Sequence, residues 1–245
     1  MKTNSQPIAA IAAVIALIGA LLCGTVAQAQ VIVTTATGNG ADTYLSNDGQ
    51  DGNSGPDVIH GAEGDITVRT VGPNTRLKIG YIRFEKPANL VNTLGSTLSL
   101  NVSFVGNSGS IDVYGLRDGD PGENWPEATT TFNNAPGIIN TGLGTWQADT
   151  NLIFLGTITG PAARSVSSEP ETLDLASFLE QDTDGLVTFV LVANPGWFGI
   201  NSKETVNGTP PTLIMPFAVP DPGLSNLVWA VGNGAWNIGS AANWQ

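Results

Sequence analysis

The chain carries one cysteine, Cys23, and one histidine, His60. Cys23 lies in the amino-terminal apolar run and leaves with it, so the exported chain has no thiol, no disulfide and no cysteine-based metal site. Around the lone His60 no Ser-His-Asp arrangement and no histidine metal cluster can be assembled. Basic residues are scarce too: 9 Lys plus Arg face 21 Asp plus Glu, a net charge of −12 that becomes −13 without Lys2. Phosphate recognition needs a basic footprint, so nucleic acid is excluded as a partner, and adsorption to anionic lipid is disfavoured. Helical periodicity is nearly missing; Ala176 to Gln181 is the one helical turn, which excludes an α/β fold.

What is present begins with a leader. Lys2 supplies a positive start, Ile8 to Leu22 an apolar run, and Ala27-Gln28-Ala29 the small residues of a cleavage site, so residues 1–29 read as a signal peptide. The run is too short for a good membrane anchor, and Leu22 is large where a lipoprotein signal has a small residue before its cysteine. The mature chain is expected from Gln30, secreted or displayed at the cell surface, with no membrane insertion. About 190 residues then precede the proline-rich tail, enough to bury one core without covalent staples.

The body of the chain is written in strand periods. Ala41 to Leu45, Asp65 to Thr70, Lys78 to Glu85 and Leu98 to Phe104 are separated by Gly-, Asn- and Pro-rich turns. In the last of these, Leu98, Leu100, Val102 and Phe104 alternate with polar residues, the mark of a sheet with one buried and one wet face. Ile111 to Leu116 follows a Gly-Asn-Ser-Gly turn, and the two strands are expected to form a hairpin. Strands near Leu152 to Thr159, Leu186 to Ala193, Phe198 to Glu204 and Pro211 to Phe217 complete the set, Leu186 to Ala193 being apolar enough for a central strand. The expected fold is all-β: a two-sheet antiparallel β-sandwich of jelly-roll type over residues 30–218. Residues 219–245 read as a Pro-rich linker and the truncated start of a β repeat. There Trp229, Trp236 and Trp244 surround a Gly-Asn-Gly turn, which resembles repeats of large bacterial surface proteins and implies further domains of the same polypeptide.

One stretch organises the rest: Trp125-Pro-Glu-Ala-Thr-Thr-Thr-Phe-Asn-Asn-Ala-Pro136. Its β-branched run favours extended backbone, and Asn133-Asn134-Ala135-Pro136 stops it, so a tryptophan-bearing loop leading into one short strand is expected. This segment resembles the signature of DNRLRE domains, also classed as carbohydrate-binding module family 96. Ala41-Asp-Thr-Tyr44, Gly80-Tyr-Ile-Arg-Phe84, Ser96-Thr-Leu-Ser-Leu100, Leu173-Asp-Leu175, Asn201-Ser-Lys-Glu204 and Pro210-Pro-Thr-Leu213 resemble further segments of that family in order. Phe132 stands where the family has tryptophan and Lys203 where arginine is common. The resemblance implies a secreted, non-catalytic carbohydrate-binding module for an alginate- or pectin-like acidic polysaccharide. The alternative is a structural or adhesive spacer with no sugar ligand.

Candidate residues follow from this. Tyr81, Arg83 and Glu85 share one strand face; with Arg69, Arg76 and Lys78 they would form a polar platform for uronate carboxylates, or Arg83 would pair internally with Glu204. Trp197, between strands, is the exposed-aromatic candidate for stacking on a sugar. Trp125, Glu127, Asn133, Pro136 and Glu204 are read as structural: the indole closes one end of the sandwich while Glu127 satisfies loop amides. Asp48 and Asp51, with Asp57, Asp182 and Asp184, lie in Gly-rich turns and offer oxygen ligands to a structural calcium ion, without the spacing of a full calcium loop. Glu123 and Glu127 are the carboxylates in reach of acid–base work, but no cleft-forming domain accompanies them.

Overall fold

The computed structural model describes residues 29–48, 55–70, 76–87, 93–160, 164–167 and 173–217. Residues 1–28 of the signal peptide, Asp51 and the tryptophan-bearing tail lie outside the described residues. The strands are β1 (Ala29–Thr34), β2 (Ala41–Ser46), β3 (Asp65–Thr70), β4 (Leu77–Glu85), β5 (Thr97–Asn107), β6 (Ser110–Leu116), β7 (Ile138–Gly142), β8 (Thr145–Ala148), β9 (Leu152–Thr159), β10 (Arg164–Ser167), β11 (Leu186–Ala193), β12 (Gly196–Asn201) and β13 (Thr212–Phe217). Among the described residues one short helix, α1 (Leu175–Glu180), precedes β11.

All pairing is antiparallel, and the fold is an all-β sandwich. Its two layers belong to one curled sheet in the order β1-β13-β5-β12-β3-β4-β11-β6-β9, with β10 added on β5 and β2 on β4; β7 and β8 form a separate hairpin. The layers join where Arg69 and Thr70 of β3 pair with Lys78 and Leu77 of β4. The interior is the set that alternation places on one face: Ile66 and Val68, Leu98 and Leu100, Ile111 and Val113, Phe198 and Ile200 pack against Ile82, Phe84, Phe189 and Leu191. β11 is flanked by β4 and β6 and is apolar except at Thr188 because both of its faces are covered.

The expected hairpin between β5 and β6 is not formed. β5 pairs with β13, β12 and β10, whereas β6 pairs with β11 and β9, so the connection arches from one layer to the other. β11 to β12 makes a second arch, and the two stack: Asn194 N donates to Ser110 O at 2.8 Å and Ser110 Oγ to Asn194 O at 2.7 Å. Gly109 permits the contact, since a Cβ there would stand 1.5 Å from the Pro195 carbonyl oxygen.

A second core fills the outer face of the β4–β11–β6 layer. Ile79, Tyr81, Val190 and Val192 point away from the sandwich interior and pack under Trp125, Phe132 and Ala135, with Trp146 and Ile138 of the β7–β8 hairpin at the margin. The segment from Trp125 to Pro136 is therefore a cover plate. It contains no strand, contrary to the extended backbone its threonines favour. Thr130 Oγ1 donates to Pro126 O, Asn134 Nδ2 to Thr129 O, and Asn134 Oδ1 accepts the Thr131 amide at 2.7 Å, so short side chains satisfy the backbone locally and hold two successive turns.

Candidate functional site

The expected platform of Tyr81 and Arg83 is internal. Tyr81 is fully buried and Arg83 is 6% exposed, because the face they occupy lies under the cover plate instead of meeting solvent. Arg83 Nε donates to Asn39 O at 2.9 Å, and its Nη1 donates to Trp125 O at 2.7 Å and Glu123 O at 3.4 Å. Its guanidinium carbon is 5.0 Å from the Trp125 ring centre. Tyr81 OH donates to Pro136 O at 2.6 Å, and Trp125 Nε1 to Thr188 Oγ1 at 3.1 Å. These side chains fasten the plate at both ends, so neither is a ligand contact. The alternative pairing of Arg83 with Glu204 does not form either. At the end of β4, Glu85 accepts the Asn39 amide. Asn133 bonds Asp57 and Asn140, tying the plate to the β7–β8 hairpin.

The remaining cations lie elsewhere. Arg69 is the register partner of both Trp197 on β12 and Lys78 on β4, so the three share one ladder row. The Arg69 guanidinium sits 4.2 Å from the Trp197 ring centre, and Phe104 meets the indole edge-on at 5.5 Å. Lys78 Nζ is 5.0 Å from the Tyr44 ring. All of Arg69, Lys78, Trp197 and Phe104 are half-buried, as is Arg76 just before β4. An aromatic with cations beside it is a surface that can take an apolar sugar face and a carboxylate together.

A second aromatic patch escaped the sequence reading. On the outer side of β6 and β9, Tyr114 packs edge-on against Trp146 at 5.7 Å and Phe154 at 5.4 Å, and Phe154 is 55% exposed. Alternation along β6 signals Tyr114 as outward, but a bulge between Val113 and Tyr114 sets Phe154 opposite it, and a bulge has no signature in the pattern.

Among the described residues two carboxylate clusters stand out. Asp118, Glu123, Asp182 and Asp184 each offer an oxygen within 4.8 Å of the others, beside a pocket of about 320 Å³ that Arg117 and Phe178 also line. Lys86 neutralises Asp182 at 3.0 Å, and Thr183 binds Asp118 through its amide and hydroxyl. Burial, and then the neighbouring Asp184, push Glu123 up to about 7. The other cluster is Asp42, Glu127 and Glu204, with Lys203 Nζ bonded to Glu127 Oε2 and 3.9 Å from Glu204 Oε1. Glu123 and Glu127 thus belong to different clusters, and do not form the paired carboxylates of an acid–base site. Of the other calcium candidates, Asp48 is buried and Asp57 is engaged by Asn133. His60 stacks on Tyr44 at 4.0 Å and contacts Glu63 at 2.8 Å. Neither the protein-family models nor the curated proteins contain a match to this chain.

Proposed function

We propose that the chain is a secreted, non-catalytic carbohydrate-binding module of a larger extracellular protein, with an acidic polysaccharide as ligand, as its resemblance to DNRLRE domains implies. The observation that carries the reading is the Trp197–Arg69–Lys78 row: an indole, a guanidinium laid on it and an ammonium next in register. The guanidinium sits over the ring at 4.2 Å, and its fork suits planar contact with a uronate carboxylate. A weak site of this size suffices where several modules are displayed together. The spacer reading is favoured by a different observation, the use of Arg83 and Tyr81 as internal fasteners in a chain of net charge −12.

Affinity electrophoresis through gels containing alginate, pectin or a neutral glucan separates the two. Retardation by the polyuronates, reduced several-fold in Arg69→Ala and unchanged in Phe154→Ala, is the expected result. No retardation on any gel would leave the spacer. Loss in Phe154→Ala with a neutral glucan would move the site to the Tyr114–Trp146–Phe154 patch and change the ligand class.

A further inference from the structure

Three segments far apart in the chain bring a carboxylate to one place: Asp42 on β2, Glu127 in the cover plate and Glu204 in the turn after β12. One oxygen from each lies within 4.8 Å of the others. Like charges at this separation repel, and the fold supplies only part of the compensation. Lys203 bonds Glu127 through Oε2 and approaches Glu204 Oε1, while its backbone amide donates to Asp42 Oδ2 at 3.0 Å. The opposite oxygens, Asp42 Oδ1, Glu127 Oε1 and Glu204 Oε2, are all buried from solvent, and among the described residues none has an aligned donor, although the Asp42 amide lies near enough to the Glu127 carboxylate to lower its pKa. Asp42 is 1% exposed, so its Oδ1 has no recourse to bulk water. Burial pushes the Asp42 carboxyl up to about 7, and the Thr35 hydroxyl is near enough to oppose that shift, but it is not aligned as a hydrogen bond and is itself buried without a partner.

Buried acceptors without donors are costly, and one such atom from each of three adjoining carboxylates is an arrangement that hydrogen bonding leaves unexplained. A cation explains it. We infer that Asp42, Glu127 and Glu204 form a divalent-cation site, with calcium the ion its chemistry favours. Once ionised, the three carboxylates and Lys203 leave −2, which a divalent cation balances. The donors are hard oxygens only, with the Thr35 hydroxyl beside them, which suits calcium over zinc or copper. Access and room for water ligands come from a pocket of about 390 Å³ lined by Glu127, Lys203 and Glu204 together with Ile59, Gly61 and Ala62. Gly61 lies against Glu127 so closely that a Cβ would stand 2.6 Å from its Cγ, so the 60–62 turn seats that carboxylate from behind. An ion here would join β2, the cover plate and the β12–β13 turn, stabilising the fold by mass action. The Asp118–Glu123–Asp182–Asp184 cluster has one such orphaned oxygen, on Asp182, and is the natural control.

The full chain, stripped with chelator, is titrated with calcium alone by calorimetry and followed by thermal melting. Expected are one bound ion, with Kd about 10⁻⁴ to 10⁻³ M as in extracellular modules, and a rise in Tm. Glu204→Gln should weaken binding at least about tenfold, a loss of about 1.4 kcal/mol, whereas Asp184→Asn should leave it unchanged. Because Glu204→Gln also alters the turn it sits in, the position is read as well in the unmodified chain from paramagnetic broadening by Mn²⁺. The Lys203 and Glu204 amides should broaden first. No calcium binding up to about 10 mM, well above that range, overturns the inference. So does binding lost in Asp184→Asn, or first broadening at Thr183 and Gly185. Sugar binding is not an arm of this test, so its outcome is independent of the proposed ligand.

Discussion

Replacing Arg83 with alanine tests whether this side chain fastens the cover plate or faces a ligand. The guanidinium makes two good charge-assisted bonds, to Asn39 O at 2.9 Å and Trp125 O at 2.7 Å, and a longer one to Glu123 O at 3.4 Å. Such bonds contribute about 1.5–3 kcal/mol each, and truncation also leaves the Trp125 carbonyl buried without this donor and a void beside its ring. Partial relaxation of the plate and water entering the gap recover some of this. The net expected loss is about 3–5 kcal/mol, a large fraction of the stability of an ordinary domain. Urea unfolding, read by tryptophan fluorescence and far-UV circular dichroism, measures it. Arg83→Lys keeps the charge and not the fork, and should fall between alanine and the parent. An alanine variant within about 1 kcal/mol of the parent, with Trp125 emission unchanged, would refute the fastening role. If that variant also lost polyuronate binding, Arg83 would have to face the ligand after all.

Trp125→Phe keeps the ring and removes the donor to Thr188 Oγ1; it should cost about 1–2 kcal/mol in urea unfolding, and part should return when Thr188→Val is added. Gly109→Ala places a methyl against the Pro195 carbonyl, which as backbone cannot turn aside, so a loss above about 3 kcal/mol is expected; parent-like stability would show that the two arches do not stack as described. Burial raises the Glu123 carboxyl from 4.5 to about 7, so the folded state holds this proton more tightly than the unfolded chain. Its stabilisation is therefore complete below about pH 4.5 and lost as pH rises through about 7. In chelator, the parent should lose on the order of 1 kcal/mol relative to Glu123→Gln across that window, after allowance for screening, and parallel curves would refute the shift. His60 acts in the opposite sense: burial lowers its pKa below 6.5, so its contribution is whole above 6.5 and is lost as pH falls. The pH dependence of stability in His60→Gln should accordingly be flatter on the acid side.

Local physics was enough for most of the strands. Alternation and turn residues place Asp65–Thr70, Leu152–Thr159 and Leu186–Ala193 where they are found, because a period of two and a Gly- or Asn-rich stop are properties of adjacent residues. The same reasoning puts Tyr81 and Arg83 together on one face, and reads the near-continuous apolar run of β11 as a strand covered on both sides. It is silent on what lies opposite a face. Leu98, Leu100, Ile111 and Val113 reach the interior equally well from a hairpin or from an arch, so the connection between β5 and β6 depends on partners far away in the sequence, such as Thr212 opposite Ser99. Likewise, polar alternation at Arg83 marks an outward face, and only the return of residues 125–136 across that face makes it a second core. The convergence of Asp42, Glu127 and Glu204 is of this kind too: each carboxylate is unremarkable in its own segment, and its chemistry arises from long-range packing that sets three like charges side by side.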